Sequence, residues 1–334
     1  MQTNPPPVGG SARTWRQAMS EALYGAQGFY RRTGAAAHFR TSPLASPLFA
    51  GAVRALASDV DTALHHPDPF DVVDVGAGGG ELLEVLAAGV SARWRLTAVE
   101  LRPGEHARLD WRPDLPACTG LLFANEWLDT VPCEVVQRTA DGVRLVLEDG
   151  SLGPAPGTPE MRWLARWWPL RRIGDLAEVG RPRDEAWAAA VGRLRRGVAV
   201  AVDYDHVRTA RPSRGTLSGY RRGRQVTPVA DGSCDLTAHV ALDACAAAAE
   251  AAHPDSVRAS LLTTQRRALR ALGLDATPVP AYAGDPMAHL RALADAGQVA
   301  ELLDPAGLGG FGWLAQSVGA GPPPLLAEVT TLLR

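Results

Sequence analysis

One segment constrains this chain more than any other. Phe70-Asp71-Val72-Val73-Asp74-Val75 is short and rich in β-branched residues, as a buried strand is. It runs into Gly76-Ala77-Gly78-Gly79-Gly80, and from Glu81 to Ala88 apolar residues recur at helical spacing. Glycines admit positive φ and close approach, and a helix end offers free N–H groups. The unit therefore predicts a ligand lying against backbone. Further strands are predicted at Trp94–Val99, Thr119–Ala124, Val198–Tyr204 and Gly312–Val318, with helical segments between them. That alternation predicts an α/β fold with a parallel sheet and crossover helices.

Elsewhere the pattern is local. Ser46 to Leu64 reads as a helix, with Phe49, Val53, Leu56 and Val60 on one face. Thr14–Leu23, Leu236–Ala252 and Thr263–Leu272 also read as helices, with Asp235 and Thr237 as capping residues. Glu134–Thr139 and Val143–Leu147 flank Ala140-Asp141-Gly142, a hairpin signature. Residues 205–234 are rich in Arg and Gly and read as a long excursion.

Composition excludes several classes. The 334 residues carry a net charge of −2, with 46% hydrophobic and 21% charged residues. This argues against disorder, a nucleic-acid coat and a basic membrane-surface protein. There is no lysine, and Ile173 is the sole isoleucine, which reads as the codon bias of a GC-rich genome. Cys118, Cys133, Cys234 and Cys245 are scattered, so no zinc site is expected, and a reducing cytoplasm suits them. No basic start followed by an apolar run marks a signal peptide, and no stretch reaches the ~20 apolar residues of a membrane span.

The glycine spacing discriminates among ligands. A dinucleotide fingerprint needs G-x-G-x-x-G, whereas this loop is G-x-G-x-G at Gly76, Gly78 and Gly80, followed by Glu81. A glutamate at the helix start repels a pyrophosphate, and a P-loop needs a lysine that the chain lacks. A nicotinamide oxidoreductase is thereby disfavoured. S-adenosylmethionine fits better: Glu100, at the end of the second predicted strand, can accept both ribose hydroxyls, and Asp74 can face the ammonium. The alternatives are a plain strand–helix turn and a solvated strand-end acid.

Six blocks in order then carry a resemblance. They are Glu21-Ala22-Leu23-Tyr24 with Gly28-Phe29-Tyr30 and Phe39-Arg40-Thr41-Ser42-Pro43; Asp74 to Gly80; Asn125-Glu126-Trp127-Leu128-Asp129-Thr130-Val131-Pro132; Asp203-Tyr204; Gly215 to Arg221; and Asp235-Leu236-Thr237-Ala238-His239-Val240. Over roughly residues 18–318 the chain resembles the MidA-type class I methyltransferases, whose mitochondrial members methylate a protein arginine during complex I assembly. The resemblance implies a Rossmann-like class I methyltransferase sheet with an N-terminal cap and an inserted substrate region. It implies a flexible tail at 1–12, a cap or lid at 13–66 and a methyltransferase domain at 67–334, with insertions near 134–195 and 205–234. The chain departs from the family at Ala37-His38 and Leu44, where acidic residues are usual, and has Thr130-Val131 for Ala-Leu.

Expected site residues follow. Glu126 is expected to hold the methyl acceptor, with Asn125 orienting it and Asp129 on the same helical turn; capping of that turn is the alternative. Asp74, Gly76, Gly78, Gly80, Glu100, Asn125 and Ser42 are expected around the cofactor. Tyr24, Tyr30, Phe39, Asp203, Tyr204 and His239 are expected around the substrate, with packing or strand-end roles as alternatives. The function implied is methyl transfer from S-adenosylmethionine to a protein side chain such as arginine. The alternatives are a small-molecule acceptor or a non-catalytic assembly factor. The expected partner is the acceptor, with a possible homodimer, no nucleic acid and no membrane.

Overall fold

A computed structural model describes residues 12–32, 41–102, 104, 106–275, 285–322, 324–327 and 331–332. Phe39, most of the expected tail and the departures at Ala37-His38 lie outside the described residues. Fourteen strands are found among the described residues. In chain order they are β1 (Phe70–Val75), β2 (Trp94–Val99), β3 (Asp110–Arg112), β4 (Cys118–Asn125), β5 (Glu134–Thr139), β6 (Gly142–Leu145) and β7 (Leu176–Val179). Then follow β8 (Leu194–Asp203), β9 (Ser218–Arg221), β10 (Arg224–Val226), β11 (Asp235–Thr237), β12 (Val257–Thr264), β13 (Gly312–Val318) and β14 (Thr331–Leu332).

Eight strands form one sheet in the order β14-β12-β13-β8-β4-β1-β2-β3. β3, β2, β1, β4 and β8 run parallel, and β13 is antiparallel to both β8 and β12. The middle strands are buried on both faces, which explains their nearly continuous apolar runs. β4 shows the division: Leu121 and Phe123 face one helical layer, and Leu122 and Ala124 face the other. The helix Pro47–Ala63 supplies Phe49, Val53, Leu56 and Val60 to the first layer, as its periodicity predicts. Ser46 caps it by accepting the Leu48 N–H at 3.0 Å. The helices Arg181–Val191 and Leu242–Ala252 build the second layer.

Two three-stranded sheets flank this body: β6-β5-β7 and β10-β9-β11. Buried Glu178 on β7 ties the intervening loop down by accepting the Thr216 and Leu217 N–H groups at 2.8 and 3.1 Å. The N-terminal helix Trp15–Met19, its π-helical continuation Ser20–Tyr24 and the helix Phe29–Arg32 pack on Val135 of β5 and Leu236 of β11.

Three local predictions change. Asp235 and Thr237 lie in β11, paired with Tyr220 and Ser218 of β9, so they start a strand and not the helix Leu242–Ala252. The helix after Thr263 begins at Gln265, because Val257 to Thr264 is strand β12 with Thr264 as the helix cap. Residues 205–234 contain the β9–β10 hairpin. In each case cross-strand pairing outweighs a weak local pattern. No helix among the described residues is long and apolar enough to cross a membrane.

Candidate functional site

The site begins where β1 ends. Gly76, Gly78 and Gly80 have φ of 73°, 59° and 87°, so the chain turns sharply through backbone that only glycine adopts freely. At Gly80 a Cβ would also stand 3.0 Å from Leu109 and Trp111. Gly76 donates its N–H to the Val99 carbonyl at 3.0 Å, which ties the loop to the end of β2. The next residue there, Glu100, accepts the Gly78 N–H at 3.0 Å through Oε2 and the Leu101 N–H at 2.7 Å through Oε1. Glu81 accepts the Gly79 N–H at 3.0 Å, so a side chain of the protein itself already occupies a free donor at the helix start. Burial, then Glu81 and Glu100, push Asp74 up to about 8.

A cavity of about 700 Å³ opens over this loop, a size typical of small-ligand sites. Its floor is Gly76, Gly78 and Glu100, and one end is closed by Asp114, Leu115 and the alanines Ala186, Ala189 and Ala190. The other end is walled by Tyr24, Tyr30, Glu126, Trp127 and Thr130. A second, smaller cavity of about 60 Å³ lies against Pro43, Leu44, Asp74 and Asn125. Gly76, Gly78 and Glu126 line both.

Glu126 therefore stands at the junction. Its φ is +51°, a strained value for a non-glycine residue, and its N–H is tied to the Val202 carbonyl of β8 at 2.8 Å. The Asn125 amide donates to its Oε1 at 3.1 Å, and the Ser42 backbone supplies another hydrogen bond. Burial outweighs both and pushes Glu126 up to about 7. The Asn125 Oδ1 atom is buried and has no partner among the described residues.

Behind Glu126 lie more acids. Asp129 sits in the 3₁₀ turn Leu128–Thr130, and Asp203 at the end of β8 caps that turn through the Leu128 and Asp129 N–H groups at 2.9 and 3.2 Å. One oxygen of each carboxylate is buried without a partner among the described residues. Burial and mutual repulsion hold Asp129 well above its ordinary value, and burial with Glu126 brings Asp203 to about 8. The nearest buried cation, Arg183, spends its donors on the carbonyls of Val131, His239 and Asp129. The surroundings of Glu126 are thus rich in carboxylate, and Arg193, which lines the large cavity, turns its Nε to the Leu115 carbonyl.

The expected residues are sorted by this geometry. Asp74, Gly76, Gly78, Glu100, Asn125, Glu126, Tyr24 and Tyr30 line one or both cavities. Gly80 makes the turn below them, and buried Ser42 reaches Glu126 only through its backbone. Asp129 and Asp203 support the turn from behind. Tyr204 and His239 stack on each other at 5.4 Å and line neither cavity. Sequence reasoning missed Asp114, Leu115, Trp127, Thr130, the three alanines and Arg193. Asp114-Leu115 follow β3, whose three residues leave no readable periodicity. The Leu115 carbonyl is fixed by Arg193 Nε at 2.8 Å.

The chain is similar to known proteins. Residues 89–258 match the family described as "Putative S-adenosyl-L-methionine-dependent methyltransferase". A COG1565 superfamily member from Burkholderia thailandensis, bound to S-adenosyl-homocysteine, is similar at 25% identity with a TM-score of 0.79. That match covers 96% of this chain and 92% of the other. A second crystal structure from Burkholderia thailandensis, of an uncharacterized COG1565 superfamily protein, shares 26% identity with a TM-score of 0.77. It covers 96% and 91% of the two chains. No match is found among the curated proteins.

Proposed function

The chain belongs to this family of S-adenosyl-L-methionine-dependent methyltransferases, and from that premise we propose that it methylates a protein side-chain nitrogen, arginine by its resemblance to the MidA-type enzymes. The residues present suit the cofactor. Glu100 is a fixed acceptor for the ribose hydroxyls, and Asp114 is an acceptor for the adenine amino group. Asn125 Oδ1, buried with no partner among the described residues, and Asp74 suit the ammonium end. When bound, S-adenosylmethionine supplies a methyl group already activated by a sulfonium charge.

The protein's own work is alignment, which can be worth roughly 7–11 kcal/mol. The observation that carries the acceptor assignment is Glu126. A carboxylate held rigidly between the two cavities, without a cation to neutralise it, is a natural clamp for a guanidinium. It would accept the N–H groups of the acceptor and turn one nitrogen lone pair toward the small cavity. Trp127, Tyr24 and Tyr30 would exclude water from that end.

One observation favours a second reading. Leu44 stands where the MidA-type family usually has an acid, so the chain offers one carboxylate fewer to a cationic acceptor, which suits a neutral small-molecule acceptor. Incubation with methyl-tritiated S-adenosylmethionine and a lysate of the source cell separates the two. Label on arginine in a protein band supports the first reading; label confined to the small-molecule fraction replaces it with the second. Absence of label from both would leave a non-catalytic assembly factor. The four cysteines are free and buried, which supports a cytoplasmic setting.

A further inference from the structure

Three segments far apart in the chain converge on the acceptor end of the large cavity. Tyr30 lines it beside Glu126, Trp127 and Thr130. Its hydroxyl donates to Asp235 Oδ2 at 2.7 Å. Asp235, on β11, is 2% exposed, and its other oxygen accepts the Leu236 N–H at 2.8 Å. Asp235 does not line the cavity, so it reaches the site through Tyr30. Because the Tyr30 hydrogen is committed to Asp235, the lone pairs of Tyr30 Oη are left as acceptors for a group in the cavity.

The ring is held on several sides. Tyr24 stacks on it at 5.6 Å and is itself anchored to Thr130 Oγ1 at 2.9 Å. Phe29 meets it edge-on at 5.3 Å.

We propose that Tyr30 is a catalytic proton acceptor for the methyl acceptor, and that Asp235 is the positioning residue that receives the Tyr30 proton in turn. This rests on the nitrogen-acceptor reading above. Transfer forms one N–CH3 bond and breaks the methyl–sulfur bond, whose electron pair stays on sulfur. The nitrogen then carries one proton too many. That proton moves to Tyr30 Oη while the Tyr30 hydroxyl proton moves to Asp235 Oδ2. Tyr30 is neutral before and after, and Asp235 ends as the carboxylic acid, which returns its proton to solvent between turnovers.

The surroundings suit this path. Burial raises Tyr30 well above its ordinary value, with Asp235 adding to the effect, so the side chain keeps its proton and acts as a relay. Burial brings Asp235 up to about 6, against the hydrogen bonds from Tyr30 and Leu236. Among the described residues, Glu126 and Asp129 after β4, Tyr24 beside Tyr30, Tyr220 opposite on β9 and the neighbouring Cys234 are titratable groups around it. The neighbouring cations Arg32 and Arg221 are turned to the carbonyls of Gly232 and Ser233.

The test compares Tyr30→Phe and Asp235→Asn with wild type, using a Gly-Arg-Gly peptide and the protein fraction that wild type labels. Each variant should lower kcat about a hundredfold or more while S-adenosylmethionine binding, read by calorimetry, is unchanged. Both should lose the acid-side limb of the kcat–pH profile, and Asp235→Glu should restore part of it. Infrared titration of the ligand-free protein should show a protonated carboxyl band that Asp235→Asn removes. Arginine labelling at wild-type rate in both variants, or an unchanged pH profile with only a lower melting temperature, overturns the relay and leaves the arginine reading intact. Label on no acceptor, even with wild type, brings down both.

Discussion

Glu100 accepts the Gly78 N–H at 3.0 Å, so one carboxylate both closes the glycine loop and presents itself to the cavity. On the proposed reading the loop and the ribose site are the same structure. Glu100→Ala should therefore abolish the melting-temperature rise produced by S-adenosylmethionine. Hydrogen bonds to a charged group are worth about 1.5–3 kcal/mol each, so calorimetry should show affinity weakened about tenfold to a hundredfold or more. Binding at wild-type strength would remove Glu100 from the cofactor site.

In the proposed mechanism Glu126 separates binding of cofactor from turnover. Glu126→Ala should leave S-adenosylmethionine binding near wild type and stop methyl transfer, as measured by tritium counting. The clamp works only as a carboxylate, and burial places its ionisation at about 7. In wild type kcat/KM should accordingly rise as pH increases through about 7, and Glu126→Gln should flatten that limb.

The buried acids also set the pH dependence of stability. Asp74 and Asp203 are pushed to about 8, Glu126, Asp184 and Asp205 to about 7, and Asp235 to about 6, in each case chiefly by burial. Their ordinary values are 3.8 for Asp and 4.5 for Glu. Between these and the raised values the folded protein binds more protons than the unfolded chain, so stability falls as pH rises. This contribution is complete below about pH 4 and is lost progressively through about pH 8. Scanning calorimetry of the ligand-free protein should give a higher melting temperature at pH 5 than at pH 9. The reverse order would mean that these groups are ionised in the folded state.

Glu178 tests how the loop before β9 is held. Its carboxylate accepts the Thr216 and Leu217 N–H groups and the Thr216 hydroxyl, the last at 3.1 Å. Thr216 Oγ1 in turn accepts the His239 N–H at 2.9 Å. Removing the carboxylate leaves partly buried donors unpaired, so Glu178→Ala should cost about 2 kcal/mol in chemical denaturation. Limited proteolysis should then cut first within residues 205–217.

Much of this protein is written in short stretches of its sequence. The loop Gly76–Gly80, β1, β2, β13 and the helix Pro47–Ala63 all follow from neighbours a few residues apart, because strand alternation, glycine turns and helical faces are local properties. The same holds for Glu100 and for Asn125-Glu126, which sit where predicted strands end. Tertiary structure decided the rest. Asp235 became a strand residue behind Tyr30, and Tyr204 and His239 stacked on each other away from both cavities. β12 formed between β13 and β14, and Ala186, Ala189 and Ala190 became a cavity wall. Each of these depends on pairing or packing between residues distant in the chain. The free energy of such contacts comes from groups that no local window contains.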